Sequence, residues 1–295
     1  MGRPTIGFIG LGLMGAAMAD RLLDLGYALT ITANRSRVNI DKAVSRGAAE
    51  VGTAREVAEA SDIVMLCMDT SASVEARMRG ADGVIAGLRK DAVVIDFGTS
   101  LPGSTRTLGT EAAAVGGHYL DAPLGRTPAH AKDGLLNIMA AGDKTVFDRI
   151  EPVLKDLGEN VFHLGALGAG HTIKLLNNFF GMTVANAMAE AFAMADVAGV
   201  ERKSVYDVMS AGPLHSGMMD FVKGYGVDGD ATQLEFAVKN AAKDVGYYST
   251  MAQNAGVDSI MAKGTLSALT QARDAGQGDD MVSQMVDFYA ARFKV

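Results

Sequence analysis

For its first 166 residues the chain alternates short apolar runs with amphipathic stretches. Beyond that point only helical periodicity is left. Thr5 to Ile9 is a nearly continuous apolar run, the pattern of a strand covered on both faces of a parallel sheet. A helical pattern runs from there to Leu25 and is closed by Gly26. The same reading predicts strands at 28–32 or 33, 62–68, 92–96, 119–120, 135–140 and 160–163. Helices are expected at 37–46, 53–60, across 73–88, and at 102–115 and 144–157. Strands alternating with helices imply a doubly wound, mainly parallel sheet. From Gly168 to Gly199 no proline occurs and a glycine stands at each end, which predicts one long helix spanning roughly 40 Å at about 1.5 Å per residue. It is apolar nearly all round, as expected of a buried spine. Further helices are expected at 204–209, 216–222, 236–254, 260–275 and 281–293.

The exceptions to the spine's apolarity are Lys174, Asn177, Asn178 and Gly181, at i, i+3, i+4 and i+7 and hence on one face. A lysine is rarely buried without partners. That face therefore meets solvent as a plain polar stripe or lines a wet cleft. Paired asparagines and a glycine that costs helix stability by about 1 kcal/mol favour the cleft.

The strand at Thr5–Ile9 leads directly into Gly10-Leu11-Gly12-Leu13-Met14-Gly15 and then into a helix. A GxGxxG turn in this context permits a tight bend and close approach of a pyrophosphate, whose charge is favoured at the helix N-terminus. The second strand ends in Asn34-Arg35-Ser36-Arg37, with no acid before Asp41. An NAD site expects an acid there for the ribose 2′-hydroxyl, whereas an arginine suits a 2′-phosphate, so NADP is expected and NAD remains possible. In a doubly wound sheet ligands sit at the carboxyl ends of strands. That selects Met68-Asp69, Asp96 to Ser100 including Thr99, and Asp121 to Thr127. The expected organisation is an α/β Rossmann domain over 1–166 and an all-α substrate and oligomerisation domain over 167–295, joined by the long helix.

Composition narrows the classes further. The 295 residues exceed what one core usually holds, and 48% hydrophobic with 21% charged residues is ordinary for a globular protein. A formal net charge of −7 without a basic tail argues against nucleic acid. The single cysteine, Cys67, cannot form an intrachain disulfide, and a cytoplasmic location is expected. No run approaches the ~20 apolar residues of a membrane span, and glycines break the apolar N-terminus, so neither a span nor a signal peptide is expected. The five histidines have no metal-ligand spacing, no metal site is expected, and no Ser/His/Asp or Cys/His arrangement stands out.

With these motifs in place the chain resembles the 3-hydroxyacid dehydrogenase family, which includes 3-hydroxyisobutyrate dehydrogenases and tartronate semialdehyde reductases, over essentially its full length. Phe8-Ile9 and Gly10 to Gly15 are similar to the family's cofactor signature, and Asp121-Ala122-Pro123 opens its substrate loop. Gly168-Ala169-Gly170 through Lys174 to Asn177-Asn178 resembles its catalytic helix, which implies that Lys174 is the acid/base. Phe236 and Lys243-Asp244 resemble a downstream segment that closes over substrate and nicotinamide. In imine reductases, a sister group, the lysine is typically replaced, so Lys174 implies carbonyl chemistry. Two departures concern the ligands. Gly125-Arg126-Thr127 stands where most members have Ser-Gly-Gly, and Gly98-Thr99 where many have Ser-Thr. The run from Gly125 to Ala131 is similar to sulfolactaldehyde reductases, where the arginine and the first asparagine, here Asn177, bind a sulfonate. Gly181 replaces a serine found in those enzymes. The resemblance therefore implies an NAD(P)-dependent reductase of a small acidic aldehyde, with 3-sulfolactaldehyde to 2,3-dihydroxypropane-1-sulfonate as the leading reaction. A carboxylate substrate of the 3-hydroxyisobutyrate, tartronate semialdehyde or succinic semialdehyde type is the alternative, and a non-catalytic NADP-binding module is the reading from another class. A homodimer or homotetramer is expected.

Overall fold

The strands Ile6–Ile9, Ile63–Leu66 and Val93–Asp96 are buried at every residue, which only a sheet covered on both faces allows. The structure is a computed structural model and describes residues 2–33 and 36–293. Its elements run β1 (Ile6–Ile9), α1 (Leu13–Asp24), β2 (Leu29–Thr32), α2 (Val38–Ser45), β3 (Ala49–Val51), α3 (Ala54–Glu59), β4 (Ile63–Leu66), α4 (Ser71–Met78), α5 (Val84–Gly87), β5 (Val93–Asp96), α6 (Pro102–Ala114) and β6 (His118–Asp121). Then follow β7 (Leu124–Gly125), α7 (Pro128–Asp133), β8 (Leu136–Ala140), α8 (Lys144–Leu157), β9 (Gly158–His163) and the long α9 (Ala169–Val197). The remainder is helical: α10 (Arg202–Ser210), α11 (Gly217–Gly226), α12 (Val238–Asn254), α13 (Ile260–Ala272) and α14 (Met285–Phe293), with short helical turns between the last two.

Six strands form one parallel sheet in the order β3-β2-β1-β4-β5-β6, with Ile6 opposite both Leu29 and Ile63. Two apolar layers cover it. Phe8, Met18, Leu22 and Ile95 belong to one, and Val57, Leu66, Met78 and Leu108 to the other. The two last expected strands, β8 and β9, form a separate three-stranded sheet with β7, in which β8 pairs antiparallel with β7 and parallel with β9. Three elements have no counterpart among those the sequence predicts: β3, β7 and α7. Each is six residues or fewer, too short to establish a period, and β3 is mostly exposed on the edge of its sheet.

By packing the chain divides into two compact units, Met1–Lys174 and Leu175–Val295. The second unit has its own core around Phe192, Met188, Val245, Leu269 and Val286. Gly199, with φ +71°, ends α9 in the left-handed backbone that suits glycine, and Gly168, with φ +93°, precedes its first residue. Among the described residues no helix is long and apolar enough to cross a membrane.

Candidate active site

The glycine turn after β1 is built by close packing. Gly10 has φ +99°, and a Cβ on it would stand 2.4 Å from the Cys67 carbonyl oxygen. A Cβ on Gly15 would lie 2.0 Å from the Gly10 carbonyl oxygen, so α1 can press onto the turn only with glycine there. At Gly12, the residue before α1, a Cβ would meet nothing within 4 Å, and no side chain caps the helix. With no acid in its first turn, this helix end keeps its positive character for an anion. Beside it opens a cavity of about 550 Å³ lined by Gly10, Leu11, Gly12, Ser36, Met68 and Asp69 among others. This arrangement fits a dinucleotide.

Leu13, Met14 and Gly15 lie in α1, and Thr99 follows β5 outside the cavity's lining. Asn34 and Arg35, the expected 2′-phosphate contacts, lie outside the described residues. The neighbouring Arg37 is committed elsewhere. It donates to Asp41 at 2.7 Å and to Glu50 at 2.9 Å, and these partners hold its pKa above the ordinary arginine value. Two residues missed by sequence reasoning help build this place. Asn39 Nδ2 donates to the Leu11 carbonyl at 2.8 Å and fixes the glycine loop, and Arg77 of α4 lines the cavity. An asparagine in the first turn of α2 has no local pattern to mark it. Beneath the turn, burial first and the Asp96 charge second push the Cys67 thiol up to about 12, so it stays protonated at neutral pH and is no nucleophile.

The carboxyl ends of β5 and β6 carry Asp96 and Asp121, both without exposed surface. Asp96 accepts from the Gly98 amide at 2.9 Å and the Ser100 hydroxyl at 2.8 Å. Asp121 accepts from the backbone amides of Gly168 and His171, each at 2.7 Å, and so caps the start of α9 from another element. His171, fully buried, places Nδ1 2.7 Å from Thr105 Oγ1. Nothing in the local sequence singles out His171, because its partners are far away in the chain.

On the polar face of α9, Lys174 is half-buried, Asn177 exposed and Asn178 buried. Asn177 donates to Asn178 Oδ1 at 3.1 Å, and Asn178 donates to Asp244 Oδ2 at 2.6 Å. Lys243 Nζ lies 3.0 Å from Asp244 Oδ1 and 5.5 Å from the centroid of the Tyr247 ring. Asn178 is therefore part of a buried polar chain and not of a solvated stripe. A Cβ on Gly181 would meet only the end of Met218, at 3.1 Å.

Gly125 pairs with Asn137 in the small sheet, and Arg126 follows with φ +77°, a left-handed conformation unusual for a side chain with Cβ. Arg126 Nη1 donates to Glu159 Oε2 at 2.6 Å and to the Leu135 carbonyl at 2.7 Å. Thr127 Oγ1 lies 2.8 Å from His130 Nδ1 at the start of α7. Among the described residues no group of three or more His, Cys, Asp or Glu could hold a metal ion.

Residues 5–165 match the family model for the NAD binding domain of 6-phosphogluconate dehydrogenase. Residues 168–289 match that for the NAD-binding domain of NADP-dependent 3-hydroxyisobutyrate dehydrogenase. The chain is 34% identical over 207 residues to 2-hydroxy-3-oxopropionate reductase of Escherichia coli, covering 70% of each protein. Among solved structures it resembles 3-hydroxyisobutyrate dehydrogenase of Salmonella typhimurium, with a TM-score of 0.81 at 27% identity, covering 96% of this chain and 99% of that one. It also shares the fold of Mycobacterium tuberculosis 3-hydroxyisobutyrate dehydrogenase, solved with L-serine, with a TM-score of 0.84 at 24% identity over 97% and 99% of the two chains.

Proposed function

We propose a reaction from one premise: the chain belongs to the 3-hydroxyisobutyrate dehydrogenase-like family of NAD(P)-dependent oxidoreductases that act on hydroxyl groups. On this reading it interconverts a small anionic aldehyde and its alcohol, with Lys174 as the acid/base. The observation that carries the proposal is the polar face of α9, where Lys174 is followed by Asn177 and Asn178 and the amides continue to Asp244. When bound, the nicotinamide supplies or accepts the hydride. Charge then builds on the carbonyl oxygen, and the Lys174 ammonium donates a proton to it; in the oxidative direction the neutral amine takes that proton back. Asn178, held by Asp244, orients the substrate oxygen or the ammonium, and Lys243 adds positive potential.

The glycine turn from Gly10 to Gly15, with Ser36, Met68 and Asp69, holds the dinucleotide, and Thr99 and Lys243-Asp244 act on the nicotinamide side. NADP is the leading nucleotide on the strength of Arg35 alone, since Arg37 is tied to Asp41 and Glu50. For the substrate anion two readings stand. A carboxylate is supported by two relatives named for hydroxy- or oxo-carboxylic acids, the 2-hydroxy-3-oxopropionate reductase and the Salmonella 3-hydroxyisobutyrate dehydrogenase. A sulfonate, as in 3-sulfolactaldehyde, is supported by Arg126 in place of the family's glycine, with Asn177 as a second donor; it requires Arg126 to exchange Glu159 for the substrate. The protein acts in the cytoplasm as a homodimer or homotetramer on this reading. Exposed apolar positions on α9, Leu176 and Phe180, motivate the oligomer.

Turnover of 3-sulfolactaldehyde, tartronate semialdehyde and succinic semialdehyde, each with NADPH and NADH, tests the proposal. Turnover of none would leave the non-catalytic module standing. A preference for NADH would remove Arg35 from cofactor selection.

A further inference from the structure

Asp96 and Asp121 close neighbouring parallel strands and stand opposite each other in the ladder. Taking two carboxylates out of water is costly. Burial raises the pKa of Asp121, against the opposing pull of His171 and of the amides of Gly168 and His171. An apolar pair would fill this place without that cost. His171 lies between the two, with Nε2 3.7 Å from Asp96 Oδ2 and Nδ1 3.8 Å from Asp121 Oδ2. Its Nε2 is buried and makes no hydrogen bond, and the Tyr119 hydroxyl adds a further polar contact to Asp96 at 3.5 Å. A buried polar cluster with a nitrogen that makes no hydrogen bond needs a reason beyond stability.

That reason is the turn above it. Asp121 holds the amide just before α9 and one in its first turn, and Thr105 holds the His171 ring. A Cβ on Gly170 would stand 2.2 Å from the Met139 carbonyl oxygen and 2.9 Å from Asp121 Oδ2, so the helix backbone itself is seated on the strand ends. Lys174 follows His171 by one turn, and any rotation or slide of that turn carries the lysine amine with it. A displacement of about 1 Å at a reacting group can cost on the order of 10²-fold in rate.

We infer that His171 and Asp121 are positioning residues for Lys174. They fix the lysine amine through the backbone of α9 without touching the substrate. The inference rests on Lys174 being the acid/base, and a mutant cycle separates the two claims. His171→Gln is expected to lower kcat by about 10- to 100-fold when Lys174 is present, and by less than about threefold in a Lys174→Met background, while nucleotide affinity stays within about threefold in both. Thr105→Val, which removes only the hydroxyl at Nδ1, is the milder variant. It is expected to lower kcat about 3- to 10-fold with the same loss of effect in the Lys174→Met background. Equal costs in both backgrounds, or a folded His171→Gln enzyme with kcat within about twofold of wild type, overturn the positioning role. Full kcat in the single Lys174→Met variant overturns the acid/base assignment itself, and the positioning role with it; that result is read without any His171 variant.

Discussion

The first turn of α9 and the segment from Leu124 to Asp133 each present a cation proposed to meet substrate, and they are held in opposite ways. Lys174 rides on a turn whose amides bind a carboxylate with no exposed surface, over a glycine with no room for a methyl group. Arg126 sits on left-handed backbone between a two-residue strand and a six-residue helix, and its partner Glu159 is an exposed side chain. Moving the α9 turn would strip donors from a buried carboxylate, which costs several kcal/mol. Moving Arg126 away gives up an ion pair worth about 0 to 1 kcal/mol and a hydrogen bond to the Leu135 carbonyl worth about 0.5 to 1.5 kcal/mol. On the proposed mechanism this is a division of labour: the proposed proton donor is preorganised and the proposed anion handle can be exchanged.

The largest expected effect tests the rigid side. Lys174→Met should lower kcat by about 10²- to 10⁴-fold with nucleotide affinity unchanged. Steady-state kinetics retaining half of wild-type kcat would remove the lysine from the mechanism.

On the exchangeable side, Arg126→Ala should cost about 1.5 to 3 kcal/mol in kcat/KM for the anion it grips. Glu159→Gln, which removes the competing carboxylate, should leave turnover intact or raise it. If Arg126→Ala stays within threefold of wild type for both the sulfonate and a carboxylate semialdehyde, Arg126 is only the surface partner of Glu159.

A smaller effect concerns backbone strain. Arg126→Gly and Arg126→Ala lose the same ion pair, but only glycine takes φ near +77° without penalty. Thermal or denaturant unfolding should therefore find the glycine variant more stable than the alanine variant by about 1 kcal/mol. Equal stability would show that this conformation carries no strain.

The smallest effect is one of pH. Burial raises the Asp121 pKa above the ordinary 3.8, so the folded state holds this proton more tightly than the unfolded chain. Its contribution is fully present below 3.8 and is lost as pH rises through the folded value. Relative to Asp121→Asn, wild type should thus lose stability as pH increases across that window. Tm measured for both proteins across the acid range checks the sign, and a wild-type Tm that rises relative to the variant's as pH increases contradicts it.

Local sequence was enough for Gly10 to Gly15, the buried runs of β1, β4 and β5, and the full extent of α9, because turns, periodicity and helix ends are written in neighbouring residues. The same holds for the alignment of Lys174 with Asn177 and Asn178, which follows from 3.6 residues per turn. Sequence also marked Arg126 as unusual but could not show its bond to Glu159, since that acid comes from another strand. The short β3, β7 and α7 carry too few residues to show a period, and packing alone decides them. The Asp96, Thr105, Asp121 and His171 cluster was invisible for a related reason. Its members belong to two strands and two helices, and nothing along the chain says that parallel pairing will set Asp96 opposite Asp121 beneath the start of α9. Residue types and spacing therefore determined the cofactor turn and the candidate acid/base. Only the tertiary structure decided what holds that lysine in place, because buried charges must find their partners across the fold.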